Sequence, residues 1–164
     1  MKSERYSPRT DEYIPYSIIA PHKVDIRRHR QTQQVLYSDE ISLKDKSAVT
    51  RAVLTAKSSS HHKYRVGAVI SVSGRLTSAS NRYRNSAHEA PFTELSVHAE
   101  VRAVLRACSN GKGGTIYVAR LGARGRLLPS HPCRRCMGVL IEAGIKRIVW
   151  FDGLYWRGNR LSRG

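Results

Sequence analysis

The stretches VHAEV (residues 97–101) and HPCRRC (131–136) constrain this chain more than any other feature. The first holds a histidine two positions from a carboxylate. The second holds two thiols with two residues between them. Each opens a segment whose apolar residues recur at helical spacing, so each puts its chemistry in a first helical turn. Cys133 and Cys136 are three residues apart and therefore share nearly one helix face. Pro132 pre-sets the start of that helix. Free amides and the positive end of the helix dipole favour thiolate over thiol, the form that binds metal.

His98, Cys133 and Cys136 together offer one nitrogen and two sulfurs, three of the four corners of a tetrahedral zinc site. If water fills the fourth corner, zinc brings its pKa to roughly 7. Glu100 follows His98 by two positions, close enough to carry protons and badly placed to be another ligand. Hydrolytic deamination needs this arrangement: attack on an amidine-like ring carbon, protonation of a ring nitrogen, and departure of ammonia. A closed site competes with it, in which His131 supplies the fourth ligand and the metal is structural. Pro132 between His131 and Cys133 disfavours that closure, and it leaves Glu100 without a role. A redox role for Cys-x-x-Cys wants a thioredoxin-like strand before the pair, which the sequence does not supply.

The chain has 164 residues and a net charge of +17. Length alone predicts one domain. Residues 1–41 are nearly neutral, whereas residues 42–164 carry 22 Lys/Arg against six Asp/Glu. Such a field attracts polyanions and phosphorylated substrates. No apolar run approaches the roughly 20 residues that cross a bilayer. The N-terminus lacks an apolar signal stretch, so an intracellular protein with no membrane partner is expected. Three cysteines, an odd number, argue against a disulfide framework.

Residues 1–41 read as an N-terminal arm, extended or partly disordered, with a short helix near 24–35. From Ser42 the pattern changes. Apolar residues at 43, 48, 49, 52, 53 and 56 fall on one helix face, with Ser42 and Asp45 as a capping box. RVGAVISVSGRLTSASN reads as a hairpin about SGR. The segment from Ser96 to Gly111 reads as a helix capped by Ser96, with Cys108 on its core face. TIYVARL is a buried strand, CRRCMGVLIEAG a helix and IKRIVWF a strand. The order implies an α/β domain over 42–164, with a βαβ unit, a hairpin at one side of a mixed sheet, and helices on its faces.

HAE followed by PCRRC matches the H-x-E…P-C-x-x-C signature of zinc nucleobase deaminases. With RVGAVISVSGRLTSASNRYR before it and AGIKRIVWF after it, the chain resembles the CMP/dCMP-type deaminase family over roughly residues 43–152. The resemblance implies the three-layer cytidine-deaminase-like fold and one Zn2+ held by His98, Cys133 and Cys136. It also implies Glu100 as proton shuttle and Asn81 as a substrate contact; Arg82, which follows Asn81, and Ala99 are further candidates for substrate binding. Family members usually continue with a further helix and strand, where this chain has thirteen residues, with NRLSR as a candidate edge strand. The expected reaction converts cytosine to uracil in a dCMP-like nucleotide. A cytosine deaminase acting on single-stranded DNA or RNA is the alternative, since Tyr155 and Trp156 beside Arg157 and Arg160 suit a strand-binding groove. A non-catalytic zinc-binding nucleic-acid module is a further one. The family also admits a homo-oligomer. His61 and His62 are candidates for the pocket mouth, and His88, Glu89 and Glu94 read as surface residues.

Overall fold

The computed structural model describes residues 36–61, 63–83 and 96–162. The elements run β1 (Leu36–Tyr37), α1 (Leu43–Lys57), β2 (Arg65–Val72), β3 (Arg75–Ser80), β4 (Arg82–Tyr83), β5 (Ser96–Val97), α2 (Ala99–Ala107), β6 (Thr115–Leu121), β7 (Leu127–Leu128), α3 (Arg134–Glu142), β8 (Arg147–Phe151) and β9 (Tyr155–Arg160). The main sheet has the order β1-β9-β8-β6-β2-β3, with β7 paired to the far end of β6. The β6–β8 and β1–β9 pairs are parallel, and the others are antiparallel.

Helix α1 begins where the sequence says it should. The Ser42 hydroxyl accepts from Asp45 N at 3.3 Å, and the Asp45 carboxylate accepts from Ser42 N at 2.8 Å. The buried face of α1 is a stripe of small residues, Ala48, Ala52 and Ala56. Helix α2 repeats the device with Ala99, Ala103 and Ala107. Small side chains at i, i+4 and i+8 let each helix lie close to the sheet. Gly67 on β2 completes the approach: a Cβ there would stand 2.3 Å from Ala52 O and 2.4 Å from Ala56 N. Neither backbone atom can yield.

Two apolar clusters result, one on each face of the sheet. α1 packs with Val69, Tyr117, Leu121, Val149, Phe151 and Trp156. α2 and α3 pack with Ile70, Ile116, Val118 and Ile148 on the other face. Ile70, Ile116, Leu140 and Ile148 are at most 1% exposed, and each such side chain contributes roughly 1.5–3 kcal/mol. The molecule is thus the three-layer α/β fold with a mixed sheet and helices on both faces. The hairpin turns at Ser73 and Gly74, both at positive φ (48° and 82°), the geometry of a type I′ turn. β3 is an edge strand, and its outer carbonyls are covered: Arg102 donates to Ser80 O, and Arg106 to Ser78 O at 2.8 Å. Covered edges resist further strand pairing.

Four expectations are corrected. Ser96 does not cap α2: Ser96–Val97 pairs with Arg82–Tyr83 as a separate ladder, and His98 is the N-cap. α2 also ends early. Cys108 takes φ 49° after Ala107, so its side chain turns outward and is exposed rather than core. Residues 36–41 belong to the domain, because β1 pairs with β9 and Ile41 is buried. The C-terminal segment forms a strand earlier than NRLSR suggests, at Tyr155–Arg160, because Asp152 accepts from Leu154 N and Tyr155 N and turns the chain back along β8. The proposed helix at 24–35, and His62, His88, Glu89 and Glu94, lie outside the described residues.

Candidate active site

The connections bring the two motifs together. α2 runs into the start of β6, so its N-terminus lies at the carboxyl end of that strand. α3 begins after β6 ends and leads back to the parallel strand β8, so its N-terminus lies at the same end. The carboxyl ends of parallel strands are where open α/β sheets form their sites.

His98 and Cys133 are the N-cap residues of α2 and α3. His98 Nδ1 stands 3.7 Å from Cys133 Sγ and 3.3 Å from Cys136 Sγ. Bonds of about 2.0 and 2.3 Å at tetrahedral angles separate nitrogen from sulfur by roughly 3.5 Å, so the cluster has the dimensions of a zinc site. Cys133 Sγ also accepts from Cys136 N at 3.5 Å, a bond that favours thiolate. Among the described residues these three form the group whose ligand atoms converge. His131 is outside it. Its Nδ1 contacts Pro132 O at 2.9 Å, and its ring meets the edge of Trp150. A four-ligand closed site through His131 therefore has no support.

A pocket open to solvent lies against the cluster. His61, Tyr64, Asn81, Ala99, Glu100 and Arg120 line it together with His98 and Cys133. Glu100 is 6% exposed. Burial pushes its carboxyl above the ordinary range, against the opposing pull of His98. Asn81 is 5% exposed. Its Oδ1 accepts from Val66 N at 2.8 Å and Ser59 Oγ at 2.7 Å, and its Nδ2 donates to Tyr64 O at 2.7 Å. Asn81 thus fixes the loop that carries His61 and Tyr64. His61 stacks on Tyr83 at 4.6 Å.

Arg82, Tyr155 and Trp156 are not among the lining residues. Arg82 lies on β4, paired with Val97. Trp156 is wholly buried against α1, and Tyr155 sits beneath the Arg157 guanidinium at 5.5 Å. Three residues without a sequence signal matter here. Ser130 Oγ donates to Val118 O at 2.6 Å and accepts from Phe151 N at 2.9 Å, tying the cysteine loop across the gap between β6 and β8. Arg120 and Tyr64 line the pocket with the guanidinium 5.0 Å from the ring centroid. Composition supplied no reason to separate Arg120 from the other arginines.

Comparison with known proteins agrees with this geometry. The profile of the cytidine and deoxycytidylate deaminase zinc-binding region matches residues 42–152. The chain is similar in structure to a cytidine deaminase from Burkholderia pseudomallei, at 19% identity and TM-score 0.53, covering 73% of this chain and 93% of that one. It is also similar to a dCMP deaminase from the cyanophage S-TIM5, at 18% identity and TM-score 0.50, covering 66% and 82%. At these identities the likeness is one of fold. No curated protein matches the chain. With two thirds of its length under that one profile, the chain belongs to the cytidine and deoxycytidylate deaminase family, and zinc is the cofactor for which its His-Cys-Cys cluster is shaped.

Proposed function

We propose that this protein hydrolytically deaminates cytosine to uracil in a free pyrimidine nucleotide of the dCMP type. One observation carries the reading: the buried carboxyl of Glu100 and the His98–Cys133–Cys136 cluster border the same pocket. Zinc held by those three residues supplies a Lewis acid that activates water at neutral pH. Glu100 takes one proton of the attacking water and gives it to the ring nitrogen; it then takes the proton of the newly added hydroxyl and gives it to the amino group, so that the carbonyl forms as the C–N bond breaks and ammonia leaves. The apolar walls, Val66, Val118, Ala99 and Pro129, exclude water from the base. Asn81 holds the loop above it in place.

A second reading has one observation in its favour. Tyr64, His61 and Tyr83 form a run of rings leading away from the pocket, with Lys63 over Tyr64 at 5.4 Å. Rings beside cations suit the bases and phosphates of a single strand of DNA or RNA. Ammonia release from dCMP, CMP, deoxycytidine and a cytosine-containing oligonucleotide, assayed in parallel on zinc-loaded protein, separates the two. The nucleotide reading expects dCMP or CMP to give the highest kcat/KM. An oligonucleotide that is turned over faster refutes it in favour of the polymer.

A further inference from the structure

Among the described residues, the pocket lining holds one carboxylate, Glu100, and one guanidinium, Arg120. Arg120 is only 9% exposed. Val118 and Arg120 alternate onto the same face of β6, and the strand advances about 3.3 Å per residue. Val118 is fixed by Ser130 near the cysteine loop. Arg120 therefore stands about 7 Å farther along the pocket wall, toward the end of the strand.

The surroundings of Arg120 are cationic. Arg120 and Lys63 both lie over the Tyr64 ring, at 5.0 and 5.4 Å from its centroid. Arg124 and Arg126 are exposed on the turn that follows β6. Positive charges gathered at a cleft focus anions into it. The planar fork of a guanidinium, with its five N–H donors, matches the oxygens of a phosphate. Tyr64 holds the fork by cation–π attraction, so little freedom is lost when an anion arrives.

We propose that Arg120 is a specificity-determining residue that receives the 5′-phosphate of the substrate, so that the enzyme selects a nucleotide over the corresponding nucleoside. This rests on the deaminase reading above. Glu100 at one end of the pocket and Arg120 at the other would fix both ends of one small substrate.

The test compares dCMP with deoxycytidine for the wild type, Arg120→Met and Arg120→Lys, with zinc content and thermal melting measured on each. One charge-assisted contact corresponds to a rise of about 10- to 100-fold in the KM for dCMP in Arg120→Met. The KM for deoxycytidine stays within about twofold, and Arg120→Lys recovers part of the loss. Equal losses on both substrates, or an unchanged KM for dCMP, overturn the assignment. Should Arg120→Met fail to fold, inhibition of the wild type by deoxyribose 5-phosphate but not deoxyribose supports it, and the absence of inhibition overturns it. An oligonucleotide preferred to dCMP overturns the free-nucleotide assignment. Zinc-loaded wild type that turns over no cytosine substrate sinks the deaminase reading instead. Calorimetric binding of dCMP against deoxycytidine then decides the role of Arg120 separately.

Discussion

His98 and Cys133 cap two different helices, and His98 Nδ1 lies 3.7 Å from Cys133 Sγ. Neither helix start can shift without separating the pair. The metal cluster is therefore also a tie between α2 and α3, whose Ala99, Ala103 and Leu140 share one apolar cluster.

Loss of one ligand should remove the metal and loosen that tie. Cys136→Ala is expected to lower zinc from about one per chain to a small fraction, because three protein ligands are the minimum for a catalytic site. His131→Ala should leave zinc content unchanged. Metal analysis after dialysis checks both. Retention of zinc by Cys136→Ala would show that the cluster is not the site.

Glu100→Gln keeps the shape of the side chain and removes its capacity to accept a proton. Zinc content should stay as in the wild type, while kcat falls by roughly 10²–10⁴. Steady-state kinetics with metal analysis on the same preparation reads this. Undiminished kcat would remove Glu100 from the proposed mechanism.

Asp45 joins α1 to the sheet and governs acid stability. It accepts from Tyr117 OH at 2.6 Å and from Arg147 at 2.7 and 3.1 Å. Burial alone would raise its carboxyl, but hydrogen bonds from Arg147, Tyr117 and Ser42 outweigh burial and hold it at about 2. A lowered folded-state pKa contributes stability that is present above the unfolded value, near 3.8, and is lost as pH falls through about 2. The loss amounts to about 2 kcal/mol. Urea unfolding from pH 7 to pH 2 should show this decline in the wild type. In Asp45→Asn, neutral-pH stability should be lower by a similar amount, and the decline below pH 4 much smaller. An identical pH slope in both proteins would refute the assignment.

Trp156 is fully buried in the cluster beneath α1. Trp156→Ala should therefore cost about 3–5 kcal/mol of stability, with the KM for a nucleotide unchanged at temperatures where the variant stays folded. Denaturant unfolding and kinetics at low temperature check the two halves. A KM effect without loss of stability would return Trp156 to a substrate-binding role.

Much of the site was legible because its residues are close in sequence and chemically distinctive. His98 with Glu100, and Cys133 with Cys136, each fit within one helical turn, so local spacing fixes their relative positions. The alanine faces were harder to read. Apolar spacing places 43, 48, 49, 52 and 56 together on one face of α1, yet Leu43 is 82% exposed while Ala48, Ala52 and Ala56 are buried. Size decides there: the sheet lies too close for leucine, as Gly67 shows, and a hydrophobicity pattern carries no measure of that distance.

The sequence by itself determined the metal chemistry, the capped start of α1, the hairpin and the βαβ unit, since all of these depend on residues a few positions apart. Only the tertiary structure decided that Trp156 is core, that Asp45 is held by Arg147, and that Arg120 alone among the arginines described here lines the pocket. Those outcomes depend on which strands become neighbours and how far each helix stands from the sheet. Both are set by packing between segments up to a hundred residues apart, and no local pattern records it.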